Sequence, residues 1–577
     1  MKRYREISTD ILIIGSEAAG ARAALEAAHQ ARVLMVTKSI MAKSGVTLKA
    51  VFSVSAAFGY ADPRDNPDVH LRDTVVKGRF LANQRLADIV CHEALERMDE
   101  LTEWGVPWDR APDGRYLQTK MYGHTYPRAL SVGFGVGIAW MKVLRKMVRR
   151  SPNVTVLNDF FISNYLKSSQ GEVVGAVGLE LKSGEVVAIR SKAVIDCTGG
   201  GMHLYKVSAG TPESTADGIA MGYRAGAQLV DMEFVQFFPL AMVTPWVLKE
   251  DEGIPSFMRT WLKARLYNSL GERFLERYDP ENMEFADRDV LSRAVFTEVK
   301  EGRGTENGGV WLDARHLGKE AIQEVVDKMA PNWTLRGINL LEHGLDLREV
   351  AAEVSPTSHF FCGGIRVDER WATRLPGLFA AGESVGGVHG ANRLPGAAFI
   401  ETQVSAQRAG KYAVQYAREV GQAEPDSEEL TQEVNRISSI LRRKQGLRPI
   451  QLRKRLQEVM WDKVGIIRNG HDLKLALEEI SRMKVEDLPR VCPGIKGRIF
   501  NAEWMEALEL QNILDAAELI ATTALFREES RGGHYREDFP TSRRQWLRNT
   551  VIERTDDGPQ LTTQPVVVTK VPLEETG

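Results

Sequence analysis

The stretch Asp10-Ile11-Leu12-Ile13-Ile14-Gly15-Ser16-Glu17-Ala18-Ala19-Gly20 decides the fold. Ile11 to Ile14 is a short apolar run rich in β-branched residues, suited to a strand buried on both faces. Gly15 to Gly20 is a glycine-bounded turn, and Ala21 to Ala28 continues as an Ala-rich helix. Val33-Leu34-Met35-Val36-Thr37 is a second apolar run. Residues 9–39 therefore read as one strand–helix–strand unit of an α/β protein. A helix that opens straight after a buried strand aims free N–H groups and its positive end at a phosphate. Gly15, Ser16, Ala19 and Gly20 frame that position. Thr37 or Ser39, at the end of the second strand, is placed for a ribose hydroxyl. Glu17 stands where a glycine ordinarily lets the backbone approach a pyrophosphate, so its carboxylate must turn away.

Two distant segments extend the pattern. Ala193-Val194-Ile195-Asp196-Cys197 runs into Thr198-Gly199-Gly200-Gly201, and Leu378-Phe379-Ala380-Ala381 runs into Gly382-Glu383. Each alone also admits a bland reading as ordinary strand–turn punctuation. Three such strands, all ending in small or glycine-rich turns, fit a large two-nucleotide cofactor.

Composition bounds the rest. The 577 residues are 43% hydrophobic and 26% charged, a globular balance with length for several domains. A net charge of −2 gives no general attraction to nucleic acid or acidic lipid. No run reaches 18 apolar residues, so no direct membrane insertion is expected. The N-terminus lacks the apolar core of a signal peptide, and a cytoplasmic, soluble chain is the expectation. Cys91, Cys197, Cys362 and Cys492 stand far apart, and no histidine pair has H-x-x-x-H spacing. Neither an iron–sulfur cluster nor another metal is expected on this chain.

Further motifs point to a family. Gly271-Glu272-Arg273-Phe274, Arg288-Asp289-Val290, Pro356-Thr357-Ser358-His359, His389-Gly390-Ala391-Asn392-Arg393-Leu394, Met460-Trp461-Asp462-Lys463 and Ser530-Arg531-Gly532-Gly533-His534 follow in order along the chain. With them the sequence resembles the flavoprotein subunits of succinate dehydrogenase and fumarate reductase, a family that includes L-aspartate oxidase and the adenylylsulfate reductase flavoprotein. The resemblance spans about residues 8–547. It implies a Rossmann-like FAD-binding domain split over 1–235 and 350–418, with a mobile α+β capping domain at 236–349. A C-terminal helical domain at 430–547 and a tail at 548–577 complete the expected plan. The polar run at 419–432 suits a linker.

The resemblance also assigns roles. Arg288 occupies the acid/base arginine position, and Arg393 and His359 match groups that hold a substrate carboxylate. Glu383 and Asp217 match flavin-binding acids. Lys38, Ser44, Thr47, Thr198, Gly199 and Ala398 join the expected FAD contacts, as does Arg393. Without the resemblance, Arg288 reads as one side of a surface pair with Asp287 or Asp289.

Three departures matter. Val46 stands where relatives with covalent flavin carry a histidine, so non-covalent FAD is expected. Val51-Phe52-Ser53 replaces a Gln-Gly-Gly that would touch the flavin ring. Phe238 replaces a histidine that would hold a second carboxylate, and the loop that completes that grip is absent between Pro245 and Asn268. Either the substrate has one carboxylate and an apolar remainder packed on Phe238, or Thr244 or Arg259 holds the second carboxylate from a shifted backbone. The expected chemistry interconverts a saturated and an α,β-unsaturated carboxylate, with electrons exchanged through a separate iron–sulfur subunit. An adenylylsulfate-reductase type, an L-aspartate oxidase and a non-catalytic electron relay remain as alternatives.

Overall fold

The computed structural model describes residues 4–335, 339–556 and 558–573. Five parallel strands form its central sheet, in the order Leu378–Ala380, Ala193–Asp196, Ile11–Ile14, Val33–Val36, Val154–Leu157. Side chains alternate across a strand, and here both sets are apolar. Ile11, Ile13, Val33 and Met35 pack into the helical side of the core. Leu12, Ile14, Leu34 and Val36 pack against Phe160, Ile162, Val187 and Ile189 of a second sheet. That double burial is why the first strand is a continuous apolar run. The second sheet pairs Arg5–Ser8, Glu185–Arg190, Val173–Glu180 and Phe160–Lys167.

Helix Ala18–Ala27 lies against helix Ala397–Glu419. Their approach is close enough that a Cβ at Gly410 would sit 2.9 Å from the Ala23 carbonyl oxygen. The small residues of both helices permit it.

A third sheet is antiparallel, in the order Val235–Thr244, Ala352–Phe361, Val310–Asp313, Arg265–Tyr267. Helices Gly253–Thr260 and Arg288–Lys300 cover it. Leu240, Met242, Ile254, Phe257, Leu291, Val295, Leu312 and Val354 make it a core of its own. The strand Ala352–Phe361 lies beyond the expected seam at 349, because Val235–Thr244 takes it as its antiparallel partner.

Helices Ser427–Arg442, Pro449–Lys463, Gly470–Arg482 and Ala502–Phe526 form the C-terminal bundle, with the last of them its buried centre. Residues 548–577, expected as a tail, include instead a hairpin of Arg548–Thr555 and Gly558–Pro565. It joins Leu229–Val230 and Gly364–Ile365 in a fourth sheet. The join is polar: Asp231 accepts from the Thr550 amide at 2.9 Å and from the Asn549 side chain at 2.6 Å. No helix among the described residues is long and apolar enough to cross a membrane.

Candidate functional site

The chain runs outward from Ile11–Ile14 to one edge of the parallel sheet and then returns to its other side. Ligands of open α/β sheets bind where the order reverses, beyond the carboxyl ends of the strands. A cavity of about 300 Å³ opens at that place, a size usual for ligand sites. Gly15, Ser16 and Ala19 line it, as do Thr37, Lys38 and Ser39 from the second strand. Ser44, Val46 and Thr47 form another wall, and Thr198, Gly199, Asp217, Glu383, Arg393 and Ala398 close it.

Gly20 is the exception among the expected cofactor contacts. A Cβ there would lie 2.1 Å from the Gly15 carbonyl oxygen, so its glycine serves the packing of turn on helix and does not line the cavity. Gly15 itself, at φ +109°, turns the chain where only glycine does so without strain. Glu17 lines the cavity too; its carboxylate accepts the Thr47 amide at 2.7 Å and does not cap the start of helix Ala18–Ala27. Burial pushes the Glu17 carboxyl up to about 7.

At the end of the second strand Lys38 is committed. Its Nζ donates to Thr215 Oγ1 at 2.6 Å, Asp217 Oδ2 at 2.7 Å and Glu509 Oε1 at 2.8 Å. Burial works against its charge, yet Asp217 and Glu509 hold its pKa above the ordinary lysine range. The other oxygen of Asp217 accepts from Asn512 at 2.7 Å. Asp217, expected as a flavin acid, thus has both oxygens engaged by protein groups. Ser39 and Ser44 bond to each other. Thr198 Oγ1 donates to Asp196 and accepts the Gly218 amide at 2.9 Å. Glu383 accepts the Phe361 amide at 3.0 Å, and burial pushes its carboxyl up to about 8.

Arg288, His359, Arg393 and Phe238 meet at one part of the cavity wall. Arg288 makes no pair with its sequence neighbours. Asp287 is taken by Lys77 at 3.1 Å and Arg79 at 2.9 Å, and Asp289 pairs with Arg293 at 3.4 Å. Arg288 instead donates to Gln236 Oε1 at 3.2 Å and lies 5.1 Å above the Phe238 ring. Burial, then the charge of Arg393, brings it down to about 9. Gln236 in turn donates to the Arg393 carbonyl oxygen at 3.0 Å, so one amide spaces the two arginines.

His359 bridges Arg393 and Glu252. Arginine only donates, so the 2.9 Å contact between Arg393 Nη2 and His359 Nε2 makes that nitrogen an acceptor. The ring proton is then on Nδ1, which donates to Glu252 Oε1 at 2.8 Å. Burial keeps the imidazole below its ordinary pKa range. Both nitrogens of His359 are thus engaged, one by Glu252 and one by Arg393. Glu252 and Gln236 are functional neighbours that sequence reasoning missed; in the sequence Gln236 is only a neighbour of Phe238, and Glu252 belongs to no motif. Thr244 donates to Glu353 at 2.8 Å, and neither Thr244 nor Arg259 lines the cavity.

The residues fit an FAD. An uncapped helix start faces the expected phosphate, and Gly199, at φ +78°, has nothing within 4 Å of the place a Cβ would occupy. Arg393 Nε is buried with no hydrogen-bond partner among the described residues.

Comparison with known proteins gives the same reading. The "FAD binding domain" model matches residues 10–399 and the "Fumarate reductase flavoprotein C-term" model residues 453–577. A Methanothermobacter marburgensis protein, named as a subunit of the CoM/CoB fumarate reductase, is 41% identical, over 94% of this chain and 97% of its own. Chloroplastic L-aspartate oxidase of Arabidopsis thaliana is 33% identical, over 92% of this chain and 81% of its own. Sdh1 of Mycobacterium smegmatis, solved in complex with UQ1, superposes with a TM-score of 0.89 at 32% identity, covering 98% of this chain and 95% of that one. The chain belongs to the FAD-dependent flavoprotein family of fumarate reductase and succinate dehydrogenase, oxidoreductases that act on CH–CH groups.

Proposed function

We propose that this protein interconverts an α,β-unsaturated carboxylate and its saturated counterpart. The observation that carries the reading is the convergence of Arg288 and Arg393 on one wall of the cofactor cavity, neither paired with a carboxylate among the described residues. Reduction of such a double bond needs a hydride at the β-carbon, a proton at the α-carbon and a cation that takes up the charge developing on the carboxylate. Bound FAD, once reduced, supplies the hydride. Arg393, steered by the Glu252–His359 pair, holds the carboxylate. Arg288, brought down toward neutral pH by burial, donates the proton to the α-carbon. The apolar wall beside them excludes water and strengthens both interactions.

Among the relatives, the Methanothermobacter protein is named a fumarate reductase. The reading extends to an electron partner. The four cysteines are free and lie apart in the core, which supports an iron–sulfur centre on a separate subunit. The test is anaerobic reduction with one equivalent of dithionite, followed by mixing with a panel of 2-enoates. Return of the oxidised flavin absorbance is expected for at least one of them. Arg288→Ala should retain FAD and lose that return. Full activity of the variant would remove Arg288 from the chemistry.

A further inference from the structure

Helix Pro67–Lys77 ends in a strained turn. Arg79 and Phe80 both stand at positive φ, +53° and +60°. That conformation is unfavourable for any residue with a Cβ and persists only where the surroundings impose it. Two contacts impose it here. Phe80 is buried in one apolar cluster with Leu71, Val75 and Ala87, and the Gly78 carbonyl oxygen accepts the Ala391 amide at 2.9 Å. Ala391 lies two residues before Arg393. The fit leaves no slack, since a Cβ on Gly390 would meet that same oxygen at 2.4 Å. The turn is thus seated on the loop that carries the carboxylate grip.

The same turn reaches the proton donor. Asp287 precedes helix Arg288–Lys300, where an aspartate ordinarily accepts the free amides of its own helix. It caps none of them. Its carboxylate goes instead to Lys77 Nζ at 3.1 Å and Arg79 Nη2 at 2.9 Å, one oxygen to each, with all three side chains partly shielded from solvent. Asp289 lies 3.9 Å from the same guanidinium. Arg288 therefore stands between two aspartates that face Arg79, while its helix packs into the separate core of the third sheet. Lys77, Arg79 and Asp287 do not line the cavity.

We propose that Lys77 and Arg79 are positioning residues: they clamp Asp287 and so hold Arg288, across the boundary between two cores, at a fixed place relative to Arg393. The inference rests on the reading of Arg288 as the proton donor. The clamp sets where the proton is delivered against where the carboxylate is held.

Two measurements on the FAD-loaded protein test it. In hydrogen exchange, Arg79→Gln and Asp287→Asn should each quicken the amides of residues 291–294 by roughly tenfold or more, while the parallel sheet keeps its protection. In anaerobic reoxidation of the reduced flavin by an active 2-enoate, each should lower the saturating rate by roughly tenfold or more. The half-saturating concentration should move less than about threefold, because Arg393 is untouched. The double variant should be no slower than the slower single one, and Asp287→Glu should recover part of the rate. Unchanged exchange in both variants overturns the clamp. Quickened exchange with an unchanged rate overturns the positioning role, as does a rate loss that multiplies in the double variant. If no enoate reoxidises the wild-type flavin, the proposed function falls, and the exchange result alone decides the clamp.

Discussion

Arg288 is brought down to about 9 by burial and by Arg393, against more than 12 for a free guanidinium. The sign of its effect on reduction follows: the donor form is present below that value and lost as pH rises through it. The rate of enoate reduction should therefore fall above about pH 9, and Arg288→Lys, with a different intrinsic pKa, should displace that limb. Arg288→Ala should cost roughly 10²- to 10⁴-fold, the usual range for a positioned proton donor. A pH limb unchanged by the lysine variant would assign it to another group. Val46 leads to a second residue-scale expectation. It lines the cavity where a covalent attachment would need a nucleophile, and its side chain has none. Acid precipitation should release all the flavin into the supernatant; colour in the pellet would contradict this. Arg288 shows how far single residues are legible: next to two aspartates it reads as a surface pair, and only the family pattern points inward. Glu252 was not legible, because its role depends on a strand one hundred residues later in the chain.

At the scale of elements, helix Ala502–Phe526 holds more than its apolar burial. Glu509 takes Lys38 and Arg453, Asn512 takes Asp217 and Arg224, and Asp515 takes Arg224 and Lys484. These bonds tie the C-terminal bundle to the turn that follows the second strand of the cofactor sheet. Removing Lys38 would leave Asp217 charged without a cation and Glu509 with Arg453 alone, and breaking a buried ion pair costs about 3–5 kcal/mol. Lys38→Ala should thus lower the unfolding free energy in denaturant by about that much and loosen FAD retention, whereas Lys38→Arg should recover part of both. The first strand–helix–strand unit was readable since short runs buried on both faces have few alternatives. The third sheet was not, since Val235–Thr244 finds its partner more than a hundred residues on, and no local pattern records such pairing.

For the whole molecule, the chain's last described stretch closes on its first third. The Gln84 side chain accepts the amides of Thr569, Lys570 and Val571 at 2.9–3.0 Å and donates to the Val571 carbonyl oxygen at 2.6 Å. One buried amide thus satisfies four backbone groups. Gln84→Ala should leave them unmet and release the segment after the hairpin. Hydrogen exchange at residues 566–573 is expected to quicken, while the parallel sheet keeps its protection. Equal protection in both proteins would show that the hairpin alone holds the segment.

The contact between positions 17 and 45 has a mutational consequence. A Cβ on Gly45 would fall 0.9 Å from Glu17 Oε1. Alanine at 45 must therefore both bear its own backbone strain at φ +99° and drive the glutamate off the Thr47 amide. With alanine already at 17, only the strain remains. The two positions are coupled through this contact, and a double-mutant cycle on apoprotein stability should return a non-zero coupling.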